Sequence, residues 1–107
     1  MKRWDVIIEV PAQQDIAEAH RWLAERDAAD RWFNSIYDAL GSLETFPKRC
    51  PLAPESKFFN REIRETFHGR RQHKYRILFT VTEKEVCVLH VRNGARLAFG
   101  ECAPEDD

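Results

Sequence analysis

The chain has 107 residues, of which 43% are hydrophobic and 33% are charged, and its net charge at pH 7 is −1. This length is close to the commonest size of a single domain, so we expect one domain over residues 1–107 with its own hydrophobic core. The near-neutral charge excludes a uniformly basic nucleic-acid coat. No run approaches the roughly 18 apolar residues of a membrane span, and the start of the chain does not resemble a signal peptide. We therefore expect a cytoplasmic protein.

The distribution of charge indicates the kind of partner, and the cysteines indicate whether a disulfide or metal site is expected. Residues 1–46 carry five basic and nine acidic groups, whereas residues 57–96 carry ten basic and four acidic groups. The second half is thus locally basic, which predicts an acidic or polyanionic partner, although a solvated surface of mixed sign is the alternative. The three cysteines lack a CxxC spacing, so we expect neither a disulfide framework nor a metal site, and we predict no cofactor.

The first half of the chain predicts one strand and two helices. Alternating apolar residues over 4–10 predict a strand with one buried face, and Pro11 suits the first turn of a following helix. Apolar residues at helical spacing predict a first helix over 12–26 and a second, more strongly amphipathic helix over 28–46. The short turn between them predicts an antiparallel helical hairpin.

The second half predicts a loop and three strands. Residues 47–60 contain three prolines and no period, and are predicted to form a packed loop. Strands are predicted over 61–67, 74–82 and 85–92, with the last, almost wholly apolar, strand at the centre of the sheet. The order β-α-α-β-β-β predicts an α+β domain in which the helical hairpin packs on one face of an antiparallel sheet. The second-helix residues expected to face that sheet are Trp32, Phe33, Ile36 and Leu40.

The histidines do not form a recognisable catalytic motif. We expect His20 to be a partly buried surface residue and His90 to pack in the sheet. His68 and His73 flank a predicted turn, where a metal site would need further ligands. The sequence contains no phosphate loop, nucleotide fingerprint, GxSxG or HExxH motif.

Three arginines are the candidate functional residues: Arg64, Arg76 and Arg96. Arg76 lies among core positions of a predicted strand, where a guanidinium must be paired or must face a functional surface. Both alternatives are open from the sequence, and the candidate partners for a salt bridge are Glu62, Glu65 and Glu85.

Several segments carry a family resemblance through their order and spacing. They are Ala12-x-x-Asp15-Ile16, residues 28–43, Phe46-Pro47-x-x-Cys50-Pro51-Leu52-Ala53-Pro54-Glu55, Glu62-Ile63-Arg64-Glu65, Gly69-x-x-x-x-x-Tyr75-Arg76-Ile77-Leu78-Phe79, and Val88-Leu89-His90-Val91-Arg92-Asn93-Gly94-Ala95-Arg96. Together they resemble the RelE/ParE superfamily of type II toxin–antitoxin toxins, over nearly the whole chain.

The resemblance implies a growth-inhibiting toxin of the plasmid-stabilisation type, neutralised by a cognate antitoxin. ParE-like members act on DNA gyrase, and RelE-like members cleave mRNA at the ribosome. In the RelE-like case Arg64, Arg76 and Arg96 match basic catalytic positions, and Arg76→Ala should abolish toxicity while leaving folding nearly intact. The expected C-terminal tyrosine is missing, since residues 97–102 contain neither Tyr nor His. We therefore favour the ParE-like activity, with the RelE-like nuclease as the alternative and a plain binding domain as a third possibility.

Overall fold

A computed structural model describes residues 2–24, 29–69 and 74–93. Within these ranges the strands are β1 (Asp5–Ile8), β2 (Arg64–His68), β3 (Tyr75–Val81) and β4 (Glu85–Asn93). The helices are α1 (Val10–Ala24), α2 (Ala29–Gly41) and the short α3 (Ser56–Phe59), with single 3-10 turns at Ser42–Glu44 and Pro47–Arg49. The α+β class and the order of the predicted elements are confirmed. The addition is α3, which lies in the segment that we predicted as a loop.

The sheet is mixed rather than wholly antiparallel. Its strand order is β1-β4-β3-β2, and β2, β3 and β4 form the predicted antiparallel meander. Strand β1 instead pairs in parallel with β4, with Asp5 opposite Glu85 and Ile8 opposite Val88. Alternation of apolar residues specifies which face of a strand is buried, and it is the same for both directions of pairing. The sequence pattern therefore could not predict this direction.

Helices α1 and α2 pack on one face of the sheet and enclose the core. From α2, Ile36 and Leu40 are 0% and 1% exposed, and they belong to the same apolar cluster as Phe79 of β3 and Val88 of β4. Pro11 lies in the first turn of α1, as predicted. The predicted packing of the second helix on the sheet is thus confirmed for its central line of residues.

Phe33 is the exception in this predicted helix face. Its side chain is 37% exposed, and its ring contacts His20 and Tyr37 at centroid distances of 5.2 and 4.9 Å. Trp32, four residues before Ile36, lies on the line that faces the sheet. Phe33 is rotated from that line by about 100° and shares the outer line with Tyr37. The prediction that Phe33 faces the sheet was therefore wrong.

Candidate functional site

A groove runs along the sheet face opposite α1 and α2. It has a volume of about 740 Å³. Its floor is formed by side chains of β3 and β4 together with the residue after β3: Leu78, Thr80, Thr82, Cys87, Leu89 and His90. One wall comes from the junction of β1 and α1 (Glu9 and Pro11), and the other comes from the segment around α3 (Glu55, Phe59, Arg61 and Ile63).

A β-bulge shapes the apolar end of this groove. Leu78 pairs with His90 and Phe79 pairs with Val88, so Leu89 is an extra residue on β4. The insertion lets both Leu89 and His90 line the groove, where strict alternation would turn one of them to the other face. Leu89 packs there against a small second core, which comprises Ala53, Ile63 and Leu78.

Arg76 lies beside the groove, clamped between two carboxylates. Its Nη1 and Nη2 groups donate to Oε2 and Oε1 of Glu55, both at 2.8 Å. Its Nε and Nη2 groups donate to Oε1 of Glu65 at 3.0 and 2.6 Å. The exposed fractions of the side chains are 12% for Arg76, 1% for Glu55 and 16% for Glu65. Glu65 was a predicted partner, whereas Glu55 was not predicted.

The two carboxylates stabilise the charged form of Arg76. The hydrogen bonding of its guanidinium to Glu55 is the largest cause that raises the pKa of Arg76, and it outweighs the opposing effect of burial. Among the described residues, this cluster places two carboxylates around one guanidinium. An approaching phosphate would therefore compete with two carboxylates that already bind this cation.

Arg64 lies on the other face of the sheet from Arg76. It pairs in register with Phe79, a core residue under the helices, and its Nη1 donates to the carbonyl of Cys50 at 2.6 Å. A weaker ion pair joins it to Glu62 at 3.6 Å. Because side chains alternate between the faces of a strand, Arg64 and Arg76 are not brought together. Arg96, the third candidate, lies outside the described residues.

The described histidines make structural contacts. His90 lies in the sheet as predicted, and its Nδ1 is 2.9 Å from Oδ2 of Asp15, an oxygen that also accepts the backbone N–H of Val91 at 3.0 Å. His68 bonds to the hydroxyl of Ser35 on α2 at 2.8 Å, and His20 is the partly buried surface residue that we expected. His73 lies outside the described residues.

Cys87 on the groove floor is not set up as a nucleophile. Burial is the main cause that raises the pKa of its thiol, and the neighbouring Glu9 adds to the effect. A thiol reacts through its thiolate form. Cys87 is therefore held in its unreactive protonated form near neutral pH.

Comparison with known families decides the class of the protein. The family model described as "ParE toxin of type II toxin-antitoxin system, parDE" matches residues 6–98. The chain belongs to this family. No curated protein matches it. Membership confirms the resemblance to RelE/ParE toxins and implies an antitoxin partner. In the described part of this ParE toxin, none of the helices is long and apolar enough to cross a membrane.

The sheet edges of the ParE toxin are partly covered by its own chain. At the β1 edge, the N–H of Trp4 donates to the carbonyl of Glu44 at 2.9 Å, and the Gln13 side chain donates to the carbonyl of Ile8 at 2.8 Å. Where β4 continues beyond β1, Asp15 accepts the N–H of Val91, as described above.

The β2 edge is covered near its start. The N–H of Ala53 donates to the carbonyl of Ile63, just before β2, and the N–H of Glu65 donates to the carbonyl of Pro51, at 2.6 and 3.0 Å. An added strand needs a row of unpaired backbone groups, and these bonds interrupt that row at part of each edge.

Proposed function

We propose that this ParE toxin inhibits DNA gyrase and has no nuclease activity. The observation that carries the proposal is the pairing of Arg76 with Glu55 and Glu65 on one face of the sheet, while Arg64 bonds to backbone carbonyls on the other. Cleavage of RNA by its own 2′-hydroxyl requires cations that converge on the phosphate, together with a base and an acid. The arrangement of these two arginines favours a toxin that acts by binding a protein.

Induction of the toxin in a growing culture tests this activity. We expect broken chromosomal DNA and filamentous cells while translated mRNA stays intact, and we expect purified gyrase to lose supercoiling activity when the toxin is added. Primer extension on a translated message reports the RelE-like alternative. Codon-phased cuts in that message, together with normal supercoiling, would refute the proposal. An unfolded variant such as Ile36→Asp serves as the inactive control.

We further propose that the cognate antitoxin lies in the groove as an acidic amphipathic helix. The sheet edges are partly covered, whereas the groove offers an apolar end at Leu78 and Leu89 and a basic group on one wall, Arg61. From Leu78 to Thr82 the floor extends about 13 Å, the length of about nine helical residues. The basic excess in residues 57–96 complements an acidic segment that folds as it binds.

Two phenylalanines make a matched test of this placement. Phe59 lines the groove and is 49% exposed, whereas Phe33 lies on the outer side of the helical hairpin and is 37% exposed. Against the protein encoded beside the toxin, we expect Phe59→Ala to weaken binding at least tenfold and Phe33→Ala to leave it within about threefold. Equal losses for the two variants would exclude the groove as the docking site.

Arg61 on the groove wall makes a second, independent prediction. We expect the antitoxin to bind less tightly as the salt concentration rises, because its acidic groups face Arg61. Arg61→Glu should lower the association rate and flatten this dependence on salt. Titration calorimetry and stopped-flow binding between 50 mM and 500 mM salt would measure both quantities. An affinity that does not change with salt would contradict the proposed charge complementarity.

A further inference from the structure

The segment around α3 forms one wall of the groove and needs tertiary contacts to hold its position. Helix α3 has only four residues, and a helix of this length is not stable by itself. Its end is fixed locally: Asn60 adopts a left-handed conformation with φ of 53°. The hydroxyl of Ser56 donates to the carbonyl of Ile63 at 2.8 Å and accepts the N–H of the same residue at 2.7 Å. These bonds shape the segment without attaching it to the sheet.

Backbone bonds, apolar contacts and an ion pair join this segment to the sheet. The N–H of Glu65 in β2 donates to the carbonyl of Pro51 at 3.0 Å, and Ala53 and Ile63 pack against Leu78. Glu55, the residue immediately before α3, binds Arg76 of β3. An apolar contact permits small shifts, whereas a bidentate pair fixes both the distance and the orientation of its two planar groups. The backbone bond lies four residues before Glu55, so among the described residues the Arg76–Glu55 pair is the directional contact next to the start of α3.

Burial of the Arg76–Glu55 pair restricts the position of the Glu55 side chain. The side chain of Glu55 is 1% exposed, and the guanidinium of Arg76 compensates its charge. Glu65, on the adjacent strand β2, binds the Nε and Nη2 groups of the same arginine. Arg76 is thus held from both sides, and it in turn holds Glu55 in a single place.

We propose that Arg76 is the positioning residue of the groove: it fixes Glu55, and through Glu55 it holds α3 with Phe59 over the sheet. Its consequence for antitoxin binding rests on the proposed function, whereas the positioning itself does not. The two carboxylates already bind the guanidinium of Arg76. The same residue that a RelE-like pattern assigns to catalysis therefore serves here to shape a binding surface.

Hydrogen exchange of the free toxin tests the positioning without any partner. In Arg76→Lys, the positive charge stays beside Glu55 but the bidentate geometry is lost. In Arg76→Met/Glu55→Gln, both charges are removed and no unpaired Glu55 carboxylate is left. We expect the N–H groups of Phe58, Phe59 and Ile63, which are bonded within the segment, to exchange at least tenfold faster in both variants. The N–H groups of Ile77 and Val88 in the sheet should change less than threefold.

Arg64→Met is the matched control, because this arginine lies on the opposite face and bonds to Cys50 instead. Exchange in the α3 segment should be unaffected by it. Unchanged exchange of Phe58 and Phe59 in both Arg76 variants would overturn the proposal. A uniform acceleration that also includes Ile77 and Val88 would overturn it too, since it would make Arg76 a general stabilising residue.

A double-mutant cycle of antitoxin affinity then tests whether the position of α3 affects antitoxin binding. Phe59→Ala should weaken binding at least tenfold in the wild-type background but less than threefold in the Arg76→Met/Glu55→Gln background, where the wall has already shifted. Equal losses in the two backgrounds would contradict the link between Arg76 and the groove. If the antitoxin ignores the groove altogether, the proposed docking site fails while the exchange experiment still decides the role of Arg76.

Discussion

Arg76→Ala should lower the free energy of unfolding by about 3–5 kcal/mol, the usual cost of removing one partner of a buried ion pair. The variant removes the guanidinium that binds both Glu55, which is 1% exposed, and Glu65. For a domain with a total stability of about 5–15 kcal/mol, this is a large fraction. Urea denaturation followed by tryptophan fluorescence measures the loss.

A second variant separates the effect of removing the Arg76 charge from the effect of removing its side-chain packing. Arg76→Met/Glu55→Gln removes the cation together with the carboxylate that most needs it, so most of the lost stability should return. A loss below about 1 kcal/mol for Arg76→Ala would show that the cluster is solvated and weak. Equal losses in the single and double variants would show that the packing of the arginine, rather than its charge, is what matters.

The expected loss of stability in Arg76→Ala changes how toxicity experiments with this variant are interpreted. If the toxin is a RelE-like nuclease, the sequence predicts that Arg76→Ala abolishes toxicity while leaving folding nearly intact. In the structure the same substitution removes the guanidinium that binds two carboxylates, so loss of toxicity would follow from loss of folded protein alone. Arg76→Lys, which retains a cation beside Glu55, is the better variant for comparing toxicity with structure.

The periodic part of the fold could be predicted from the sequence, and the direction of one strand could not. The line of Ile36 and Leu40 on α2 and the alternation on β3 identify buried faces directly, because burial follows the repeat of each element. The parallel pairing of β1 with β4 leaves no trace in such a pattern. Phe33 was misassigned because an aromatic residue at the edge of an apolar stripe fits either side of the helix.

The candidate site depended on a contact that periodicity cannot reveal. Arg76 was identified because a charged residue among core positions needs a partner, and Glu65 was a candidate because it lies on a neighbouring strand. Glu55 was missed because residues 47–60 have no repeat from which to infer which side chains are buried. One signal was present: an acidic residue next to a proline-rich stretch, in a protein whose strand carries a core arginine. This signal identifies Glu55 as the partner of Arg76 only when the fold is known to bring the two residues together.

The second large effect concerns the helix that covers the sheet. Ile36→Ala should reduce the free energy of unfolding by about 2–5 kcal/mol, because it opens a cavity that the surrounding core can fill only in part. Ile36 is 0% exposed and belongs to the cluster that includes Phe79 and Val88. Phe33→Ala is the control on the same helix, where the ring is 37% exposed and the loss should stay below about 1 kcal/mol. Chemical denaturation of both variants measures the difference, and a larger loss for Phe33→Ala than for Ile36→Ala would mean that the opposite face of α2 covers the sheet.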